Sequence, residues 1–151
     1  MLRKLQGLYF EEFQVGDRFE TPGRTVTDAE ISAYAGLSAD YNPIHIDDQY
    51  AKETIYGTRI AHGMLVLSIG FGLLMRLGLW VGTGMGLLSI SGRFLKPVHI
   101  GDTIRAEAEV VSVRLTSKPD RGVVTFKLNI VNQNGETVCE SDYSHMAKTR
   151  G

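Results

Sequence analysis

The chain has 151 residues, a size at which one domain buries about two-thirds of its unfolded surface and needs no covalent staples. Sixteen Lys and Arg stand against 17 Asp and Glu, a net charge of -1, which leaves no basic excess for nucleic acid. The single cysteine, Cys139, has no internal disulfide partner and no metal-ligand spacing around it, so a small buried residue in a reducing cytoplasm is expected.

The first residues, Met1-Leu2-Arg3-Lys4-Leu5, carry two positive charges without the apolar run of a signal peptide. Gly16-Asp17 marks a turn ahead of a short strand-like stretch. Thr27, with Glu30 three positions on, forms a capping-box signature and predicts a helix of about ten residues from Asp28. Ile31, Tyr34 and Ala35 make its inner face. Asp47 is placed to cap a second, short helix over residues 48–54 that Gly57 ends.

The strongest helical stretch is Ala61 to Gly78, apolar on almost every side and so expected to be enclosed by the rest of the chain. Its uncharged run, Gly63 to Met75, is 13 residues long, short of the ~20 that cross a bilayer, so no membrane span is expected. From Leu87 the period becomes two. Ile104, Ala106 and Ala108 alternate with Arg105, Glu107 and Glu109, and Val124, Phe126, Leu128 and Ile130 alternate with Thr125, Lys127 and Asn129. Residues 119–122 form a turn, and Asn134-Gly135 is a hairpin signal. The chain therefore reads as one α+β domain over residues 1–151, an antiparallel meander of about four strands wrapped around one long helix.

Between the first two helices lies Ser-Ala-Asp-Tyr-Asn-Pro-Ile-His-Ile-Asp-Asp, Ser38 to Asp48. Asp40 and His45 are five apart, which in a continuous helix or strand would turn them away from each other. Pro43 disrupts both, so an irregular loop is expected that aims carboxylate and imidazole into one space, an arrangement suited to general acid–base work. The same residues equally fit a plain Asx-turn with a surface histidine. Gly63, in the first turn of the enclosed helix, is placed to offer a free N–H as an oxyanion donor, or else only to allow close packing. His62 either shapes the pocket or satisfies a backbone carbonyl from within the core. His99 and His145 have no acidic or thiol partner at ligand spacing, so no metal is expected. No glycine-rich phosphate loop or nucleophile elbow is present, so neither a dinucleotide cofactor nor a covalent serine mechanism is expected.

Ala39 to Asp47, with His62-Gly63-Met64 at the matching distance, resembles the hydratase motif of the MaoC-like dehydratases and (R)-specific enoyl-CoA hydratases. Phe94 to Ile104 resembles the stretch that follows in that family. The resemblance implies a hot-dog fold and a homodimer, or dimer of dimers, joined at sheet edges. It implies that Asp40 and His45 activate a water over a trans-2-enoyl thioester, CoA or acyl-carrier-protein linked, while Gly63 polarises the carbonyl, with no cofactor. Asn42, His62 and Met64 are the implied residues around the substrate. Two positions depart from the family pattern: Ala39 replaces the commonest glycine, and Phe71 stands where some members carry serine, a role Ser68 is placed to take over. Arg93, Lys96, Lys118 and Arg121 are candidates for the CoA phosphates, and Leu79, Trp80 and Met85 for the acyl pocket. A hot-dog thioesterase and a non-catalytic acyl-CoA-binding subunit remain as alternatives.

Overall fold

The computed structural model describes all 151 residues. Four long antiparallel strands carry the fold: β3 (Gly84–Ile90), β5 (Thr103–Leu115), β6 (Arg121–Val131) and β7 (Thr137–Lys148), with short strands β1 (Arg18–Glu20), β2 (Arg24–Thr25) and β4 (Arg93–Phe94). The main order is β1-β5-β6-β7-β3, with β2 added on β5 and β4 on β7. Alternation decides which face is buried. Ile104, Ala106, Ala108 and Val110 of β5, and Val124, Phe126, Leu128 and Ile130 of β6, point into the core, as their period predicts. β3 begins at Gly84, three residues before the expected change of period.

Four helices precede or cross the sheet: α1 (Asp28–Ser38), α2 (Pro43–Ile46), α3 (Asp48–Lys52) and α4 (Gly63–Met75). The start of α1 follows the capping signature, with the Thr27 N–H donating to Glu30 Oε2 at 2.8 Å. α3 starts where Asp47 Oδ1 accepts the N–H groups of Gln49 (2.9 Å) and Tyr50 (3.0 Å). It stops at Lys52, ahead of the expected end, and Gly57 closes a later turn at φ 69°.

α4 lies in the trough of the curled sheet, where Leu65, Val66, Leu67, Ile69, Leu73 and Leu74 are buried. Gly70 brings its backbone against β6, since a Cβ there would run into the Ile130 side chain. Enclosure is incomplete: Met64 is 54% exposed and Ser68 also faces outward, one turn apart on the same side. No helix is long and apolar enough to cross a membrane. Leu79 and Trp80, expected in an acyl pocket, belong to the core or its margin. Trp80 stacks on His145 at 4.2 Å and on Phe13 at 4.9 Å, and neither Leu79, Trp80 nor Met85 lines a cleft of the chain.

Candidate active site

The site is assembled from Ala39 to Gly63, the chain that crosses the N-terminal end of α4. Ala39 ends α1 in the left-handed region, φ 63° and ψ 14°, and is the one non-glycine residue there. That reversal turns Asp40 away from α1's axis. Its Oδ1 then accepts the Asn42 N–H at 3.2 Å, a tight local turn.

His45 stands on α2, a single helical turn, where an irregular loop was expected. Proline is the reason for both the expectation and the difference. Pro43 is excluded from a helix interior, yet at the first position of a new helix its fixed φ is favourable and its missing N–H costs nothing. Asn42 caps that turn by accepting the Ile44 N–H at 3.3 Å, so its side chain serves the loop.

The side chains of Asp40, His45 and His62 converge, with donor atoms all within 4.8 Å of one another. His45 Nδ1 lies 2.8 Å from the Ile60 carbonyl oxygen. A carbonyl only accepts, so Nδ1 carries the proton and Nε2 presents its lone pair. By the same logic His62 Nε2–H donates to the Asp40 carbonyl at 3.0 Å, which leaves Nδ1 buried without a partner. His62 is thus a buried histidine satisfying a backbone carbonyl, one of its two expected roles. The two imidazoles stack, centroids 3.8 Å apart at 27°.

Gly63 opens α4, and its N–H makes no hydrogen bond within the chain. A Cβ at this position would lie 2.9 Å from the Phe94 ring. The glycine therefore combines a free amide with close packing, the two readings of this position. It borders a cleft of about 210 Å³ whose walls include Ile60, Val66, Phe94, Lys96 and Val98. Of the four cationic candidates only Lys96 reaches this cleft, where it also pairs with Glu136. Arg121 is tied to its neighbour Asp120 at 2.8 Å. Met64 is exposed beside the site, and Phe71 packs edge-on against Tyr143 at 5.2 Å, inside the fold.

Sequence reasoning missed Arg59. Its Nε donates to Asp48 at 2.5 Å, and its Nη1 donates to Asp28 at 2.7 Å and to the His45 carbonyl at 3.4 Å. One guanidinium so binds α1, α2 and α3 together. Arg59 holds the Asp28 carboxyl below the usual carboxylate range, through its hydrogen bond and its charge. No local period announces a contact whose partners are 31 and 11 positions away.

Residues 12–132 match the family described as the MaoC like domain. The chain is 36% identical over 144 residues, 95% of its length and 94% of the relative's, to a protein named (R)-specific enoyl-CoA hydratase from Rhodospirillum rubrum. Among solved structures it is similar to an Archaeoglobus protein described as a monoamine oxidase regulatory protein, with 42% identity, TM-score 0.85, and 96% and 97% of the two chains covered. A Mycobacterium tuberculosis protein with a double hot-dog fold superposes with TM-score 0.83 at 21% identity, over 95% of this chain and 44% of that one. The curled sheet around α4 is accordingly a hot-dog fold, and the chain belongs to the MaoC-like dehydratase family.

Proposed function

We propose that this chain is a hydro-lyase that reversibly adds water to a trans-2-enoyl thioester, giving the (R)-3-hydroxyacyl thioester. The observation that carries the reading is the approach of the Asp40 carboxylate to a His45 imidazole whose Nε2 is free to accept a proton. A water bound by both loses a proton to the pair as its oxygen bonds to the β-carbon. The α-carbon then takes a proton, and no redox step or cofactor is needed. Charge gathers on the thioester oxygen in the enolate-like transition state, where the Gly63 N–H at the positive end of α4 is the proposed donor. Asn42 shapes the dyad's turn, and Met64 is proposed to touch substrate. The handedness is carried over from the Rhodospirillum rubrum relative.

Two copies are proposed to join along β3, which pairs only with β7 on one side. Its other edge is free, and Leu87, Leu88 and Ile90 are exposed there on both faces of the strand. Such an edge needs a cover, and a second β3 supplies one. The thioester carrier, CoA or acyl-carrier protein, is proposed to lie along the cleft beside Gly63.

The test is a crotonyl-CoA assay with chiral analysis of the product. Loss of the conjugated-enoyl absorbance without free thiol, and an (R) product, support the reading. Release of thiol would point to a thioesterase instead, and binding without turnover to a non-catalytic subunit.

A further inference from the structure

We propose that His62 is the positioning residue of this site, fixing the separation between the Asp40 carboxylate and the His45 imidazole; the inference rests on the hydratase reading. His62 is anchored before its side chain does anything. It is the N-cap of α4, and its own carbonyl accepts the Val66 N–H at 3.0 Å, so its backbone moves only with the central helix. The side chain, 2% exposed, then touches three separate segments. Nε2–H holds the Asp40 carbonyl, one ring face lies on His45, and Tyr34 of α1 meets the ring edge-on at 4.8 Å.

Two of these contacts bear on the reacting groups. Asp40 follows a residue in left-handed backbone, and its own side chain is exposed. The carbonyl bond from His62 therefore limits how far its peptide can turn. His45 is held from one side by the Ile60 carbonyl and from its face by His62, which stops the ring rotating about that hydrogen bond. His62 is also bonded directly to Gly63. A single residue thus refers the acid and the base, through its side chain, and the oxyanion amide, through its backbone, to one rigid element.

The unpartnered Nδ1 argues that the imidazole is kept for this purpose. A buried nitrogen without a partner is unfavourable, and an apolar ring of similar shape would fill the space without that cost. What an apolar ring lacks is the Nε2–H.

Three variants test this in crotonyl-CoA hydration at a temperature below all measured melting points. In His62→Gln the amide nitrogen reaches the place of Nε2, in His62→Asn it reaches only that of Nδ1, and His62→Phe keeps the ring but loses the donor. Expected are a kcat for His62→Gln within about threefold of the unmodified chain, and roughly tenfold to hundredfold losses for Asn and Phe with little change in KM. A purely structural histidine would not yield rescue by Gln alone with the loss confined to kcat. The inference is overturned if Gln falls as far as Asn and Phe, if Phe turns over normally, or if the loss lies in KM. Should the Phe variant not fold, the comparison of Gln with Asn decides. An unmodified chain that hydrates nothing overturns the functional reading and this inference together, whereas an active chain with any of those variant results overturns this inference alone.

Discussion

The guanidinium of Arg59 approaches the carboxylate of Asp48 to 2.5 Å through Nε and, through Nη1, reaches Asp28 at 2.7 Å. Both carboxylates are largely exposed, so each pair taken alone adds little to stability. The arginine is not: its side chain is 14% exposed, and it also donates to the carbonyl of His45. Arg59→Ala is expected to lower turnover roughly tenfold, because small displacements of a reacting group are costly. Arg59→Lys, a point charge without the fork, should recover only part of it. Steady-state kinetics with a melting curve for each variant check this, and unchanged turnover in Arg59→Ala would remove the clamp from the site.

Removing either member of the proposed dyad should slow hydration far more. Asp40→Asn and His45→Ala are each expected to lose a factor of about 10²–10⁴ while retaining the fold by circular dichroism. The double variant should be little worse than the poorer single one if the two act on one water. A single variant with near-normal turnover would take that residue out of the mechanism.

Gly63 is better tested together with its neighbour. Gly63→Ala alone brings a methyl group against the Phe94 ring and is expected to cost about 1–3 kcal/mol of stability by overpacking. Adding Phe94→Ala makes room for that methyl. If the double variant then turns over no worse than Phe94→Ala alone, the glycine is needed for space only, and if it stays impaired at restored stability, the methyl obstructs the carbonyl's approach to the amide.

Ala39 holds a conformation that costs an L-residue about 1–2 kcal/mol, partly offset in a comparison with glycine by glycine's freer unfolded chain. Ala39→Gly should therefore raise the melting temperature by about 2 °C, as a gain of under 1 kcal/mol does in a domain of this size. A lower melting temperature would mean that the methyl group makes contacts worth more than the strain.

His145 is buried, and its position inside the protein holds the imidazole below its usual range, opposed by an Nδ1–H bond to the Met146 carbonyl. The unfolded chain thus takes up this proton first. Stability is full above the unfolded value near 6.5, falls as the pH drops below it, and levels off once the folded imidazole is protonated too. His145→Phe, which keeps the stack on Trp80, should flatten the decline in urea midpoint between roughly pH 7.5 and 5.5. An identical decline in the variant would assign it to other groups.

The sheet was legible because β5 and β6 each bury one face: Ile104, Ala106 and Ala108 can alternate with charges only if one side is dry. α4 was legible in place, although it runs only from Gly63 to Met75 within the expected 61–78, but not in exposure, since composition cannot tell which stripe, here Met64 and Ser68, the curled sheet fails to reach. At the site, the residues around Pro43 allowed either a convergence of Asp40 with His45 or a plain Asx-turn, and the structure has both the convergence and the Asp40–Asn42 turn bond. The turn of helix that achieves the convergence was not legible, because a proline excluded from a helix interior is favourable in a helix's first turn. Arg59 lay outside any pattern, its acid partners being brought near only by the tertiary fold.

Gly70 seats the backbone of α4 directly on the Ile130 side chain, and the buried row Leu65, Val66, Ile69 and Leu73 packs the helix into the sheet on either side of that contact. The end of the helix is therefore a fixed datum, and with it the amide of Gly63. On the proposed reading, thioesters of different girth must then be accommodated around that end, where the side chains of Met64 and Phe94 are exposed, and not by movement of the helix.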